Sequence, residues 1–532
     1  LFYEPTAQLI GKTFAWLVGA RWKPTRYAEQ EDVELRGLVE EYVVLFDLDK
    51  SATRKLKKHL RAWQREVQEP TGPANLVRSY YELLQILAVH SWDLSDRVVA
   101  SRLGTLARFS ELLVDFESMT RRARPIPEED NRIRGGLDRG DWFYHRLHCY
   151  IQNYALGGYE GFDGEESYDF DAVQILTIHR SKGLEWPVVF VPALARTRFP
   201  SKNTGREQDW LLPRETFQAE RYEGSEADER RLFYVAVTRA RDYLYLSTFQ
   251  RINRRSSASP FLTEVAKEKL QPMTTLPLPQ ASQSKADDKE LPTIPFSDLA
   301  SYHQCPHGFR LRGLLGFEPP IASEIGYGKA VHHVLRRVAE DTRANGKLPN
   351  AEDLETLFEE EFYLPYASDL LHEQMVEAAR QLVGDYITRN SEDLSRIWEI
   401  ERPFELHLDS ASITGRADVI LDHEGGQAGS MAILDYKTGM DSASQKLHEF
   451  QLAIYAAAAL REGINVRGAY LHDLSRGERL VVSKALKAKN ETVEKAEKIV
   501  DNIQRRHFPP KTGKHCRRCD VQLLCRHCQT GR

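Results

Sequence analysis

Two carboxylates and an amine, each set in an apolar run, are the residues of this sequence best suited to chemistry. Asp435 and Lys437 stand two apart, directly after Ala432, Ile433 and Leu434. In an extended strand, residues i and i+2 face the same way, so carboxylate and ammonium would project side by side. A second apolar run holds Asp418, between Arg416-Ala417 and Val419-Ile420-Leu421. The Gly- and Ser-containing segment 424–430 is expected to fold this run back beside the first, bringing Asp418 to Asp435. Hard divalent cations such as Mg²⁺ or Mn²⁺ take oxygen ligands of this kind. A bound cation with a lysine beside it suits attack of water on a phosphodiester, because the developing negative charge meets fixed positive charge. By itself an Asp-x-Lys pair is usually a solvated strand edge or a surface ion pair. The company narrows the reading. Gln451 and Tyr455 are four apart on a helix-like run, hence on one face. His332, in Gly328-Lys329-Ala330-Val331-His332, is a further candidate ligand, while His333 would point elsewhere on a helix.

In this order the residues resemble the motifs of the PD-(D/E)XK nuclease family, specifically its RecB-like branch. The match runs through Gly328 and His332 (GxxxH), Glu401 (ExxF), Asp418 (GRxD), Asp435 with Lys437 (DYK), and Gln451 with Tyr455 (QxxxY). The resemblance implies that His332, Asp418, Asp435 and the Tyr436 carbonyl hold Mg²⁺. It also implies that Lys437 orients the attacking water or steadies the developing charge, and that Gln451 and Tyr455 position the strand.

The rest of the chain decides what such a site is attached to. At 532 residues it exceeds one ordinary core, and two to four domains are expected. With 41% hydrophobic and 28% charged residues it has the composition of a folded protein, which excludes a wholly disordered chain. A net charge of −5 gives no global pull toward nucleic acid, so DNA affinity must come from local basic patches. No apolar stretch reaches the ~20 residues needed to cross a bilayer. The nearest, residues 9–20, is short and contains Lys12. No signal peptide is visible, and a cytoplasmic location is expected. The chain opens on Leu1 rather than Met and is expected to be a fragment of a longer protein.

Residues 1–165 read as mostly helical. Apolar positions fall near helical spacing over 33–46, and Leu103, Leu106, Phe109, Leu113 and Phe116 lie on one stripe. Gly11-Lys12-Thr13 imitates the end of a phosphate-binding loop, but the glycine required five residues before Gly11 is Thr6, and the motif is rejected. From Asp171 the pattern turns to strands, at 173–178 and 187–191, joined by a polar loop. An amphipathic helix over 227–240 then meets a strand at 243–246. The segments TIHRSKGLEWPVVFV and ERRLFYVAVTRA resemble motifs V and VI of the UvrD-like superfamily-one helicases. The resemblance implies that Gly183 and Glu185 contact bound ATP, Glu185 at the sugar, and that Arg239 is an arginine finger on the γ-phosphate. A guanidinium fork suits that role, since it neutralises charge that accumulates during phosphoryl transfer. By the same resemblance, residues 1–165 would be a helical accessory subdomain inserted in a RecA-like motor domain, and residues 166–250 the end of that domain. The family's Walker A loop and Asp-Glu metal site have no counterpart in this sequence, so the chain alone is expected not to hydrolyse ATP.

Residues 251–295, rich in Pro, Thr, Gln, Ser and Lys with one short helix-like piece at 261–270, read as a linker. The nuclease-like domain is expected over 296–532, opening on a helix capped near Ser297-Asp298. Helices then dominate to about Asn390, His332 lying on one over 326–338. Strands follow at 398–422, 431–437 and 466–474, with a helix at 492–506.

Four of the six cysteines fall in the last seventeen residues, which suggests metal before disulfide. Cys516-x2-Cys519-x5-Cys525-x2-Cys528 reads as two CxxC pairs around zinc, although the spacer of five is short of the ~15–20 of paired zinc knuckles. The alternative joins Cys305, at the other end of the domain, to Cys516, Cys519 and Cys525. That set resembles the iron–sulfur staple of RecB-like nucleases such as AddB. It implies a 4Fe–4S cluster whose binding energy becomes folding energy, with Cys528 surplus. Cys149, alone among helices, is expected to be an inert core thiol. Lys511, Lys514, Arg517, Arg518 and Arg526 would give this region a positive face for phosphate.

The expectation is therefore an α/β multidomain chain, the C-terminal part of an ATP-dependent DNA helicase–nuclease of repair or recombination. By family analogy it would translocate 3′ to 5′ and cut single-stranded DNA, or double-stranded DNA with an end. Its partners would be an absent N-terminal motor domain and a second helicase–nuclease subunit. One rival, a stand-alone nuclease, leaves residues 173–246 without purpose. The other is a non-catalytic DNA-binding or scaffold subunit, against which the intact Asp418, Asp435 and Lys437 set argues.

Overall fold

The helical stripes at the start of the chain close on one another in helices α1 (Pro5–Leu17), α2 (Leu35–Phe46), α3 (Lys50–Gln68), α4 (Leu76–Ile86), α5 (Arg97–Arg122) and α6 (Gly140–Tyr150). The computed structural model describes residues 1–24, 28–122, 126, 127, 133, 134, 138–156, 173, 175, 177, 178, 181, 185–196, 198–201, 204, 224–251, 255–265, 292–322, 324–440, 442–482 and 489–528. These fall in two compact units, residues 1–169 with 291–532, and residues 170–290.

Local chemistry starts the early helices. Asp49 accepts from the Ala52 amide at 2.6 Å and Asn75 from the Arg78 amide at 3.0 Å, each satisfying a backbone donor that the first helical turn leaves free. The five predicted stripe residues of α5 are all buried, and Phe109 stacks on Phe14 with centroids 6.1 Å apart. The rejected Gly11-Lys12-Thr13 lies inside α1, where a Cβ on Gly11 would come within 2.4 Å of the Trp22 ring. Cys149 corrects an expectation: it is exposed. The core face of α6 is Phe143, Tyr144 and Leu147, and position 149 falls off that face.

One buried acid makes this helical part sensitive to pH. Glu117 accepts from the Leu76 amide at 2.9 Å and from Arg121 at 3.0 Å. Burial outweighs both contacts and pushes its carboxyl up to about 7. The folded state then holds a proton that the unfolded chain has released above its ordinary value of 4.5. This contribution to stability is full below that value and is lost as pH rises toward 7. Glu117→Gln is expected to remove the loss. Urea midpoints measured from pH 4.5 to 7.5 should decline more steeply for the wild type than for the variant; parallel curves contradict the assignment.

In the unit of residues 170–290, β1 (Trp186–Val191) pairs in parallel with β2 (Ala240–Leu246), and α7 (Glu226–Val237) runs between them in sequence. A capping box of Ser225 and Asp228 starts α7. The helix ends at Val237, short of the expected 240, because the chain enters β2 at Ala240. The short α8 (Pro260–Val265) buries Phe261 against Phe233. Of the strand expected at 173–178, residues 173, 175, 177 and 178 are described and none lies in a strand, Val173 and Ile175 being exposed; most of the loop after it lies outside the described residues.

The chain then enters a six-stranded sheet through β3 (Thr293–Pro295), a stretch whose composition had read as linker. Next comes α9 (Phe296–Gln304), whose N-cap is Pro295 with no side-chain cap, so Ser297 and Asp298 fall inside the helix. Helices α10 (Tyr327–Asn345), α11 (Ala351–Glu361) and α12 (Asp369–Arg389) follow. Strands β4 (Ile397–His407), β5 (Ser412–Leu421) and β6 (Met431–Lys437) then form a meander. After α13 (Ser442–Arg461) come β7 (Val466–Asp473), parallel to β6, and β8 (Glu478–Val481), and α14 (Lys489–Gln504) closes the order. Strand order is β8-β7-β6-β5-β3, with β4 also on β5. Side chains alternate between two cores: Leu434 and Tyr436 join α10 and α12, while Ile433 joins α13.

The segment after α9 and the cysteine-rich terminus pack on the helical part. Leu311, Leu315, Phe317, Val521 and Leu524 share its core. Tyr81 donates to the Glu318 carbonyl at 2.6 Å, Asn75 to that of Ile321 at 2.9 Å, and Arg310 to that of Leu94 at 2.8 Å. Among the described residues, no helix is long and apolar enough to cross a membrane.

Candidate active site

Strand β5 opens the site. β4 pairs with it along its whole length, so its other edge is shared by β3, at 412–414, and β6, at 419–421. The stretch between, Gly415 to Asp418, has no strand on that edge among the described residues. Register puts Asp418 opposite Asp435, one step beyond the last ladder pair, Val419 with Leu434. The two carboxylates therefore face the same side, as expected, with Lys437 two residues on. Where the ladder ends, Asp418 Oδ2 replaces it by accepting from the Tyr436 amide at 2.7 Å. Its Oδ1 lies 3.3 Å from His332 Nδ1 on α10, whereas His333 turns away to Glu361 at 2.7 Å.

The row extends to a third strand. Ile400 pairs with Val419 and Arg402 with Ala417, which leaves Glu401 opposite Asp418. Glu401 sits at φ 52°, a left-handed conformation that costs a non-glycine residue on the order of 1 kcal/mol or more. Such strain persists where the surrounding structure fixes it. Glu401 lies 3.5 Å from Arg416.

Asp435 is the charged centre. Its side chain is 3% exposed, and its Oδ2 lies 2.5 Å from Lys437 Nζ. Among the described residues that oxygen has no other hydrogen-bond partner. Burial first, then the Asp418 charge, push its carboxyl up to about 6 against the pull of Lys437. Burial disfavours charge on His332 as well, but the Asp418 contact more than offsets it and raises the imidazole. A buried carboxylate short of donors beside a second carboxylate suits a hard cation. Among the described residues, no three His, Cys, Asp or Glu side chains stand together as a metal-ligand set. The Tyr436 ring turns into the opposite core, where its hydroxyl meets that of Tyr386 at 2.9 Å. Tyr386 has no motif spacing to reveal it in the sequence.

On the other side of the opening, Gln451 donates to the Tyr455 hydroxyl at 2.9 Å, and that hydroxyl accepts the Arg416 amide at 3.2 Å. The hydroxyl thus takes a backbone donor on the edge where β5 has no strand. The ring fits only because residue 415 is glycine: a Cβ there would meet Tyr455 Cε1 at 2.3 Å. Gln451 and Tyr455 thus share a face, as their spacing predicts.

All six cysteines are free thiols. Segments 305–312 and 516–528 meet: the His307 and His527 rings are 5.3 Å apart, and Arg312 lies 3.5 Å from Asp520. Cys305 Sγ accepts from the Gly308 amide at 3.4 Å. Burial first, then the neighbouring thiols of Cys525 and Cys516, raise the Cys528 thiol. It is therefore not remote from the set that left it over. Lys511 donates to the His303 carbonyl at 2.8 Å.

In the other unit, Glu185 directly precedes β1 and Arg239 directly precedes β2, and the Trp186 amide donates to the Arg239 carbonyl at 2.9 Å. The two residues therefore stand at the same end of the parallel pair. The Arg239 guanidinium folds back on α7, donating to the Val235 carbonyl at 3.0 Å. Gly183 lies outside the described residues.

Comparison with known proteins gives two families. The model of the PD-(D/E)XK nuclease superfamily matches residues 293–526, and that of the UvrD-like helicase C-terminal domain matches residues 28–251. Among curated relatives, the ATP-dependent DNA helicase SRS2 of Saccharomyces cerevisiae is 39% identical over 109 residues, 17% of this chain and 9% of that protein. The ATP-dependent DNA helicase srs2 of Schizosaccharomyces pombe is 36% identical over 106 residues, 20% of this chain and 9% of that one. The ATP-dependent DNA helicase PcrA of Bacillus subtilis is 34% identical over 113 residues, 20% of this chain and 13% of that one. The matched stretches thus span about a tenth of these relatives. The chain carries a UvrD-like helicase C-terminal domain followed by a domain of the PD-(D/E)XK nuclease superfamily.

Proposed function

We propose that residues 293–526 are a divalent-metal-dependent deoxyribonuclease and that the chain is the C-terminal part of a DNA helicase–nuclease. One observation carries the reading: Asp418, Asp435 and Lys437 converge on one face, with the buried Asp435 oxygen meeting only the Lys437 ammonium among the described residues. In this proposal Asp418, Asp435, His332 and the Tyr436 carbonyl hold Mg²⁺, and Glu401 joins their row. When bound, the ion would polarise the phosphodiester and lower the pKa of the attacking water. Lys437 would orient that water or oppose the charge growing on phosphorus. Gln451 and Tyr455 would place the strand from the far side of Asp418. The experiment is cleavage of a 5′-labelled single-stranded DNA by the purified chain with Mg²⁺ and with EDTA. No metal-dependent product from the well-folded protein overturns the proposal and favours a DNA-binding scaffold instead.

The helicase part is proposed as one wall of an ATP site, with Glu185 and Gly183 on the nucleotide and Arg239 on the γ-phosphate. Translocation 3′ to 5′ follows from the resemblance. The phosphate-binding loop would come from outside these 532 residues. Mg-ATP turnover by this chain alone is accordingly expected to stay at background, and measurable turnover contradicts the assignment.

Cys305, Cys516, Cys519 and Cys525 are proposed to hold a 4Fe–4S cluster. The contact between segments 305–312 and 516–528 supports the set, and the position of Cys528 makes it a competing ligand. Iron and acid-labile sulfide should be found in the purified protein; zinc without iron overturns the cluster.

A further inference from the structure

Beside the carboxylates runs a cleft that the catalytic reading leaves unexplained. One wall is a stripe of α10, Lys329, His333 and Arg336, in which residues three, four and seven apart share a face with His332. The opposite wall is Glu401 of β4 and Arg416 of β5. Three permanent cations therefore meet one carboxylate, in a chain whose net charge is −5. Arg336 is fixed by Glu340 at 2.8 Å and by His333 at 3.0 Å, so its guanidinium is held in place. Arg416 is 64% exposed and only loosely engaged, 3.5 Å from Glu401. Lys329 is exposed and has no ion pair or hydrogen bond among the described residues. The first turn of α10 adds to the field, since Gly326 gives it no side-chain cap and it contains no acid.

Chemistry limits what this cleft can take. No lining residue has an apolar side chain to hold a small apolar ligand, and a metal would meet cations. A flexible polyanion fits, entering along the helix stripe and reaching His332 and Asp418 at its inner end. We propose that Lys329, Arg336 and Arg416 form a phosphate-binding subsite for the sugar-phosphate backbone of the DNA strand, flanking the bond to be cut. The proposal rests on the nuclease reading above and adds to it the side along which the strand enters the site. Lys329 is a binding and positioning residue here, its ammonium replacing the counterions of one phosphate.

The test uses the whole chain, a short single-stranded DNA and the variants Lys329→Ala and the pair K329A/R336A. Steady-state cleavage gives KM and kcat, and binding in Ca²⁺ from 50 to 300 mM salt gives the dependence of affinity on ionic strength. A lost phosphate contact on a single strand should reduce the slope of log K against log salt by about 0.7. The pair should raise KM roughly tenfold with kcat nearly unchanged, as expected for loss of charge-assisted contacts made equally in ground and transition states. Restoration of KM by Lys329→Arg supports a charge role. If the wild type cleaves while both variants keep its KM and salt slope, the subsite is wrong and the nuclease stands. If the wild type binds but does not cleave, and the variants still lower the slope, the subsite stands and the nuclease reading falls. Unchanged binding in a chain that does not cleave overturns both. Thermal unfolding curves matching the wild type show that the variants are folded.

Discussion

Asp435→Asn should leave a folded protein that binds DNA and does not cut it. The substitution keeps the shape of the side chain and removes the charge that burial and Asp418 already disfavour. At pH 7.5 the wild-type carboxylate is ionised in a setting that resists ionisation, so the variant is expected to unfold no earlier than the wild type. Cleavage is another matter. Losing a charged ligand from a two-carboxylate site removes several kcal/mol of transition-state stabilisation, and each ~1.4 kcal/mol is a factor of ten. A fall of at least about a thousandfold in kcat is expected, with affinity for the strand retained because the cleft cations are untouched. Single-turnover cleavage and equilibrium binding in Ca²⁺ measure the two separately. Cleavage at the wild-type rate would remove Asp435 from the reaction and, with it, the reading of the whole site.

Gly415→Ala is the second large effect, and it acts through packing. The added methyl would sit 2.3 Å from Tyr455 Cε1 and 2.8 Å from its hydroxyl oxygen, inside contact distance. Either β5 or the ring must move. Overpacking of this kind costs about 1–3 kcal/mol of stability. If the ring moves, the Arg416 amide loses its acceptor and Gln451 loses its partner, so the rim of the site loosens along with the fold. Tyr455→Ala alone should also destabilise, by opening a cavity. The combination should cost less than the sum of the two, because the space made by one accommodates the other, with a coupling of about 0.5–3 kcal/mol. Denaturant midpoints for the four proteins test this. Simple additivity would mean that Gly415 is tolerated for some reason other than the ring.

How much of this was legible beforehand differs from residue to residue. Asp418, Asp435 and Lys437 were readable because strand periodicity is local: alternation fixes which side chains share a face, and a turn at 424–430 fixes which strands are neighbours. The α5 stripe was readable for the same reason, since a 3.6-residue period is written into the chain itself. Cys149 was misjudged because hydrophobicity does not say which face of a helix turns inward. Thr293–Pro295 read as linker because a three-residue edge strand is defined by its partner, 119 positions away at Ser412.

What the linear order determined was the chemistry on offer: two acids, an amine, an imidazole and a Gln–Tyr pair at spacings that put each set on one face. Tertiary structure alone decided the rest. It parted β3 from β6 along β5 so that Asp418 is freed from the ladder, placed the left-handed Glu401 opposite it, set Tyr455 over a glycine, and laid a stripe of α10 cations beside the acids. The physical reason is range. Periodicity is a property of neighbours along the chain, whereas burial, strain and the field at a carboxylate depend on groups that only folding brings within a few ångströms.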